Sequence, residues 1–205
     1  MWHRTTATGG DCVYKLCKTE QSAKRQRQLE NGLLKAMLQH QYEEISISDL
    51  CEQMEVPRKS FYRYFSSKDG ALYALIDHTL MEFENFDKKE YLSEKRTLQR
   101  DMERFFRFWQ HHSDLLSALE KSGLSGMLVQ RSTDYALAEL VFSSRFLPNE
   151  DRNSQNSVVV FAVCGLLTMV LRWHKDGYQT PIRQLAALSE RLLTHPLFPD
   201  AGKML

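Results

Sequence analysis

The chain of 205 residues has no excess of either charge: 27 Lys and Arg stand against 26 Asp and Glu, a formal net charge of +1. The strongly basic balance of many nucleic-acid binders is therefore missing from the whole. A basic face is still allowed, because a field acts through the local arrangement of charge rather than its sum. Residues 1–68 hold 11 Lys and Arg against 8 Asp and Glu, and the remainder holds 16 against 18. Cysteine is scarce. Cys12, Cys17, Cys51 and Cys164 form no Cys-x-x-Cys pair and no paired His/Cys spacing, which excludes a zinc site of the usual kind. There is no apolar leader at the N-terminus. The longest apolar stretch, Val158 to Leu171, is broken by Gly165 and Thr168 and is shorter than the ~20 residues of a membrane span. These absences describe a soluble, cytoplasmic protein with free thiols and no membrane partner.

The chemistry-bearing motifs of enzymes are absent too. No Gly-x-Gly-x-x-Gly or phosphate-loop motif occurs. Gly123-Leu-Ser-Gly126 lacks the spacing of a nucleophile elbow. His111 and His112 are adjacent, so a helix points them in different directions, and His78 and His174 have no local partner pattern. All four are read as surface or capping histidines. No catalytic residue, metal or cofactor is assigned.

What is present is helix after helix, in a chain whose 42% hydrophobic content is ample for a packed core. Residues 1–20 carry no sustained period and read as a loose arm whose few basic residues could touch DNA. Leu29, Leu33, Met37 and His40 then fall on one stripe, with Lys24, Arg25 and Arg27 clustered before it. Ile47, Leu50, Cys51 and Met54 predict a short helix, Phe61 and Phe65 another, and Leu72 to Phe83 a longer one. Leu98, Met102, Phe105 and Trp109 predict the next. Further helices are expected at Ser113–Lys121, from Leu124 to Phe142, and at Val158–His174, the last apolar nearly all round and so buried. The final one runs from Pro181 to Leu193, with Pro181 suited to the first turn. No run alternates with period two between hairpin turns. The expected fold is all-α, about nine helices, with an N-terminal three-helix domain containing a helix-turn-helix and a larger C-terminal helical bundle. The expected divisions are an arm at 1–20, a helix-turn-helix domain at 21–68 and a larger helical domain at 69–205.

The stretch from Ser46 to Phe65 carries the functional signal. Ser46 is a good N-cap, and Asp49 three residues later meets the first-turn amides. Val56 precedes Pro57, which disfavours helical geometry at Val56, while the missing N–H of Pro57 costs nothing at a new helix start. One short helix thus stops and another begins within a few residues, the signature of a helix-turn-helix. Arg58 and Lys59, at the N-terminal end of the second helix, suit guanine edges or phosphates. Tyr hydroxyls can donate to phosphate oxygens, and a phosphate at the start of the next helix would suit both Lys68 and that N-terminus. Cys51 faces the core and is expected to be inert.

On these residues the segment 23–83 resembles the DNA-binding domain of the TetR family of bacterial regulators. That family reads roughly Thr-x-x-x-Ile-Ala, Gly-Val-Ser, Thr-hydrophobic-Tyr-x-His-Phe, then x-x-Lys-x-x-Leu. The chain supplies Ser46, Leu50-Cys51, Val56, Ser60-Phe61-Tyr62, Tyr64-Phe65, Lys68 and Leu72 in register. It departs at Glu55 and Lys59, where Gly is common, at Pro57, where Ser is usual, and at Tyr64, where His is common. Glu55 bears on a turn that favours a left-handed residue. The resemblance implies phosphate-facing roles for Ser60, Tyr62, Tyr64 and Lys68, and Ser46 belongs to the same expected DNA face. Lys24 and Arg25 join the expected DNA face.

The resemblance implies equally that the C-terminal part senses a ligand and dimerises. Gly165-x7-Trp173-x3-Gly177-x3-Pro181 is similar to the end of one TetR subgroup, in which the last two helices of each subunit form a four-helix interface. Phe161, Gly165, Thr168, Leu185, Leu188 and Leu192 are the expected interface residues of a homodimer, the symmetry a palindromic duplex operator demands. Phe105, Phe108, Trp109, Met127, Arg131 and Tyr135 are the expected lining of a small-molecule effector site, and are otherwise plain core. Arg131 either pairs with an acidic ligand group or meets Asp134, Glu139 or water. Two other classes stay open: a helical interaction or sensor protein that keeps the fold without specific operator binding, and a helical enzyme or carrier using a C-terminal cavity.

Overall fold

The structure is a computed structural model, and it describes residues 13–86, 97–138 and 151–195. Nine α-helices lie among the described residues: α1 (Glu20–Gln39), α2 (Ile47–Gln53), α3 (Arg58–Tyr62), α4 (Lys68–Glu82), α5 (Leu98–His111), α6 (Ser113–Lys121), α7 (Ser125–Ala138), α8 (Arg152–Lys175) and α9 (Ile182–Thr194), with a single 3-10 turn at Tyr42–Glu44. No strand occurs among the described residues beyond one isolated bridge. The expected continuation of α7 to Phe142 lies outside the described residues, as do Cys12, Glu139 and residues 1–12 of the arm.

Capping residues decide where the helices begin. Thr19, Ser46, Ser67 and Thr97 each accept a hydrogen bond from the backbone amide three residues on, and Asp151 accepts from Asn153 and Ser154. Pro57 and Pro181 sit one position earlier than a first-turn proline, as the N-cap residues of α3 and α9. At the other ends, three helices close by the same device. Gly123 donates to the Glu120 carbonyl and Leu124 to that of Leu119; Gly177 donates to His174 and Tyr178 to Trp173. Both glycines have positive φ, 67° and 65°. This is the Schellman arrangement, which needs a left-handed residue just past the helix.

The third case is α2, where Glu55 donates to Glu52 at 3.0 Å and Val56 to Cys51 at 2.9 Å, with Glu55 at φ 53°. The turn thus keeps the left-handed geometry although the residue is not glycine. A side chain in that region carries a steric penalty of roughly 1–2 kcal/mol that glycine lacks, partly offset by the greater chain entropy glycine loses. Glu55→Gly is therefore expected to raise stability by about 1 kcal/mol, or about 2–4 °C in thermal midpoint. A thermal melt checks this, and a lowered midpoint would count against strain at Glu55.

α1 is the spine of the N-terminal part and packs on α2, α4 and α6. Its stripe buries Leu29, Leu33, Ala36 and Met37, but His40, placed on that stripe by its spacing, is the exposed C-cap. The helix has ended there, so the period no longer governs its direction. α4 packs on both α1 and α7, so the helix that follows Lys68 joins the two parts rather than opening the second. Tyr42 and Lys121 tie the same junction. The Tyr42 amide donates to Ser122 Oγ at 3.2 Å, and Lys121 Nζ donates to the Leu38 carbonyl at 3.1 Å.

In the C-terminal part α8 packs on α5, α6 and α7, and α9 packs on α5. Trp173 closes the far end. Its ring meets Phe106 and Tyr178 edge-on at 5.7 and 4.6 Å, and its Nε1 donates to the Thr180 carbonyl at 2.8 Å. The reading of α8 as a buried helix needs correction. One side, Val159, Ala162, Leu166, Val170 and Trp173, is buried, while Val158, Val160, Phe161, Gly165 and Thr168 are exposed. One chain has too few neighbours to cover an all-round apolar helix. The helix has 24 residues and a window of mean hydropathy 1.8, enough by length and composition to cross a bilayer. Its inner side is nevertheless committed to its own chain. On α9, Leu185 is 8% exposed in the chain's own core, while Leu188 and Leu192 are half-buried. Leu185 is thus part of the chain's own core.

Candidate nucleic-acid interface

α2 and α3 are held at a fixed angle by a small apolar hinge. Leu50, Cys51, Val56, Phe61 and Phe65 are all buried, and the Phe61 and Phe65 rings lie 5.1 Å apart. α3 is only five residues long, so its stability comes from this packing rather than from helix propensity. Phe61, fully buried, fixes which way the helix faces. Arg58, Lys59, Tyr62 and Arg63 consequently point to solvent, and Ser60 is half-buried beside them. Tyr62 is 49% exposed, a large value for an aromatic side chain with no partner surface. Burial raises the Cys51 thiol pKa, against the opposing charge of Arg58, so Cys51 stays a protonated packing residue.

The remaining expected contacts divide. Ser46 is exposed, and its Oγ accepts from the Asp49 amide at 3.1 Å, the capping role read from the sequence. Lys24 is exposed on α1, and Arg25, half-buried, donates to Gln28 Oε1 at 3.1 Å. Tyr64 does not face outward. It is 6% exposed, and its hydroxyl lies 3.5 Å from Ser22 Oγ, tying the end of α3 to the first turn of α1. In place of a phosphate contact it makes an internal joint.

Lys68 is the larger correction. Its ammonium donates to the carbonyls of Tyr42 and Ile45, the latter at 2.8 Å, and stands 4.3 Å above the Tyr42 ring. The physical reason is local. A cation at the start of α4 is repelled by that helix's positive end, and the carbonyl end of the 3-10 turn beside it is the nearest negative one. Tyr42 completes the joint by donating to Asp69 Oδ1 at 2.6 Å, and burial together with that carboxylate drives the Tyr42 pKa far above the usual phenol range. Lys68, half-buried, therefore positions the turn before α2.

The expected effector lining is also rearranged. Phe108 and Trp109 are fully packed core residues, with Phe83 and Phe86 edge-on to Phe108 at 5.1 and 5.3 Å. Phe105, Met127 and Tyr135 are half-buried, and Tyr135 donates to Glu84 Oε1 at 3.2 Å. Arg131 finds its carboxylate within the chain, on another helix. Its Nε donates to Asp77 Oδ1 at 2.8 Å and its second nitrogen to Asp77 Oδ2, a bidentate pair between α7 and α4. Burial pulls the guanidinium pKa down, and the hydrogen bond and charge of Asp77 more than reverse that.

Spacing missed two features. One is Arg63, exposed at the C-cap of α3 beside Tyr62; its neighbourhood in the basic run was the signal. The other is the segment Val13–Cys17, which lies along the turn between α3 and α4 instead of hanging loose. No local pattern announces that contact. Two of the histidines are internal fittings: His78 Nδ1 faces both oxygens of buried Glu30 at 2.9 and 3.0 Å, and His174 lies between Ser117 and Tyr178 at 3.1 and 2.8 Å. No group of three metal-ligating side chains occurs among the described residues.

Residues 33–75, the segment holding this helix-turn-helix, match the family model described as bacterial regulatory proteins, tetR family. No curated protein matches the chain. Solved structures share its fold. A tetR-family transcriptional regulator from Streptomyces coelicolor superposes with a TM-score of 0.55 at 21% identity, covering 83% of this chain and 79% of that one. The TetR family repressor AlkX from Dietzia sp. gives 0.52 at 13% identity over 82% and 92%. The regulator FadR from Bacillus subtilis, solved with stearoyl-CoA, gives 0.55 at 13% identity over 84% and 99%. The resemblance read from Ser46 to Leu72 is thereby matched by a family model in sequence and by family members in fold.

Proposed function

We propose, from a TetR-type N-terminal domain set in a TetR-family fold, that the chain is a cytoplasmic, homodimeric repressor that binds a palindromic duplex operator and is released by a small-molecule effector. The observation that carries the DNA reading is the outward set Arg58, Lys59, Tyr62 and Arg63 on a helix whose opposite side is locked by Phe61. The two cations at its N-terminal end suit base edges, and the Tyr62 hydroxyl suits a phosphate oxygen. Ser46 and Lys24 are exposed as well. The dimer reading rests on the exposed apolar side of α8, where three of the largest exposed apolar side chains, Val158, Val160 and Phe161, cluster within four residues. An effector fits the half-buried Phe105, Met127 and Tyr135, near Arg131, which is already paired with Asp77.

The test is binding to duplexes from the region upstream of the gene and its neighbours, across a salt series. The expected result is specific binding whose affinity falls steeply with salt through counterion release. Equal, weak binding to every duplex would overturn the operator reading in favour of a sensor that only keeps the fold. Tyr62→Ala is expected to weaken binding about tenfold on specific and unrelated duplexes alike, the size of one lost hydrogen bond to a charged group. Unchanged affinity in that variant would displace α3 as the reading helix.

A further inference from the structure

The segment before α1 is built into the DNA-reading head. The Val13 carbonyl accepts from the Ser66 amide at 3.1 Å and from Ser66 Oγ at 3.0 Å, and the Lys15 amide donates to the Tyr64 carbonyl at 2.8 Å. Tyr14 and Phe65 thus pair as an isolated antiparallel bridge. The side chains on either side of this strap are fixed as well. The Tyr14 hydroxyl donates to Asp77 Oδ2 at 2.6 Å, its ring stands edge-on to His78 at 5.8 Å, and Cys17 Sγ meets Gln26 Oε1 at 2.9 Å.

Gly70, in the first turn of α4, carries the same message from the other side. A Cβ there would lie 2.3 Å from the Val13 carbonyl oxygen, so α4 leaves out a side chain where the strap crosses it. In extended backbone, successive side chains point to opposite faces. With Tyr14 turned inward on α4, Lys15 is exposed on the outer face, and Lys18 is exposed just before α1. The strap backbone touches Tyr64, one residue after Arg63 and two after Tyr62. The exposed cations of α3 are therefore continued past its C-terminal end by two more that come from a distant part of the chain.

We propose that Lys15 and Lys18 are DNA-contacting residues that bind backbone phosphates next to the stretch read by α3. This rests on the operator-binding reading and extends it to a part of the chain outside the helix-turn-helix. An ammonium on a flexible stem recognises a phosphodiester as a point charge, so these contacts add affinity without base preference.

The test uses the full chain carrying Lys15→Ala and Lys18→Ala together, titrated with a specific and an unrelated duplex across salt. The expected result is weaker binding to both duplexes and a log–log salt slope shallower by about 2, one unit per lost phosphate contact. Lys35→Ala, exposed on α1 roughly 20 Å beyond its first turn, is the charge control and is expected to leave the slope unchanged. Both substituted side chains are exposed, so folding is expected to hold, and a far-UV spectrum verifies it. A slope in the double variant equal to that of the unmodified protein, while Tyr62→Ala still weakens binding, overturns this inference and leaves the operator reading standing. Binding by the unmodified protein that shows no salt dependence overturns both.

Discussion

Asp77→Ala is expected to lower the unfolding free energy by about 3 kcal/mol, among the largest effects of any polar substitution in this chain. Asp77 is 7% exposed and is shared by three parts of the molecule. From α7 it receives two hydrogen bonds from Arg131, and from the strap it receives the Tyr14 hydroxyl. Breaking a buried ion pair from one side costs about 3–5 kcal/mol, because the other charge stays behind in a poor solvent. The lower part of that range applies, since the Arg131 side chain is 22% exposed and water can reach part of the guanidinium. Asp77→Asn keeps one acceptor oxygen, but it loses the charge and sets an amide NH2 against an Arg131 N–H donor, so its loss is expected to be smaller than that of Asp77→Ala without vanishing. Urea unfolding of both variants checks the order. A loss under 1 kcal/mol for Asp77→Ala would mean that the pair is a surface contact in all but geometry.

That pair also shows where the sequence stops being informative. Helix positions were legible because the information is local. Capping by Ser46, the Val56-Pro57 stop and the Phe61/Phe65 spacing all lie within one turn of the feature they specify. Partner choice is not local. Asp77 meets Tyr14 across 63 positions and Arg131 across 54, and nothing in either neighbourhood distinguishes a lysine or arginine waiting for phosphate from one already paired inside. Arg131 was legible as a cation in an apolar setting, and only the fold supplies its carboxylate.

Lys68 and Tyr64 teach the same lesson within the site. Both fall in register with a DNA-contacting pattern, and both turn inward, Lys68 to the carbonyls of the 3-10 turn and Tyr64 to Ser22. Register fixes which residues share a face only while the helix continues, and these two lie where α3 has ended and α4 is just beginning. Arg58, Lys59 and Tyr62, inside α3, are exposed as their spacing requires. Glu55 is the opposite case. The residue type argued against a left-handed turn, and the hydrogen bonds to Cys51 and Glu52 impose one regardless. A few well-made capping bonds outweigh a strain of about 1 kcal/mol, so the departure from glycine alters stability and leaves the architecture intact.

Phe161→Glu is expected to convert a dimer into a monomer at micromolar concentration and to reduce operator affinity more than 100-fold. Phe161 is 65% exposed on α8, with Val158 one turn before it and Gly165 one turn after. A Cβ at Gly165 would meet nothing within 4 Å, so the middle of this face is open and shallow enough for another helix to approach closely. In a twofold interface every substitution counts twice. Burying two phenylalanines contributes about 3–6 kcal/mol, and two carboxylates in their place add a desolvation cost, which together exceed the margin of a micromolar dimer. Operator binding falls with it, because each monomer then reads only one half-site. Leu185→Ala is the matched control. Leu185 is packed in its own chain's core, so its loss is expected to lower the thermal midpoint through a cavity worth about 2–3 kcal/mol while the variant sediments as a dimer. Sedimentation of both variants beside the unmodified protein separates the two roles. A dimeric Phe161→Glu would remove the outer face of α8 from the interface, and a monomeric unmodified chain at that concentration would remove the interface altogether.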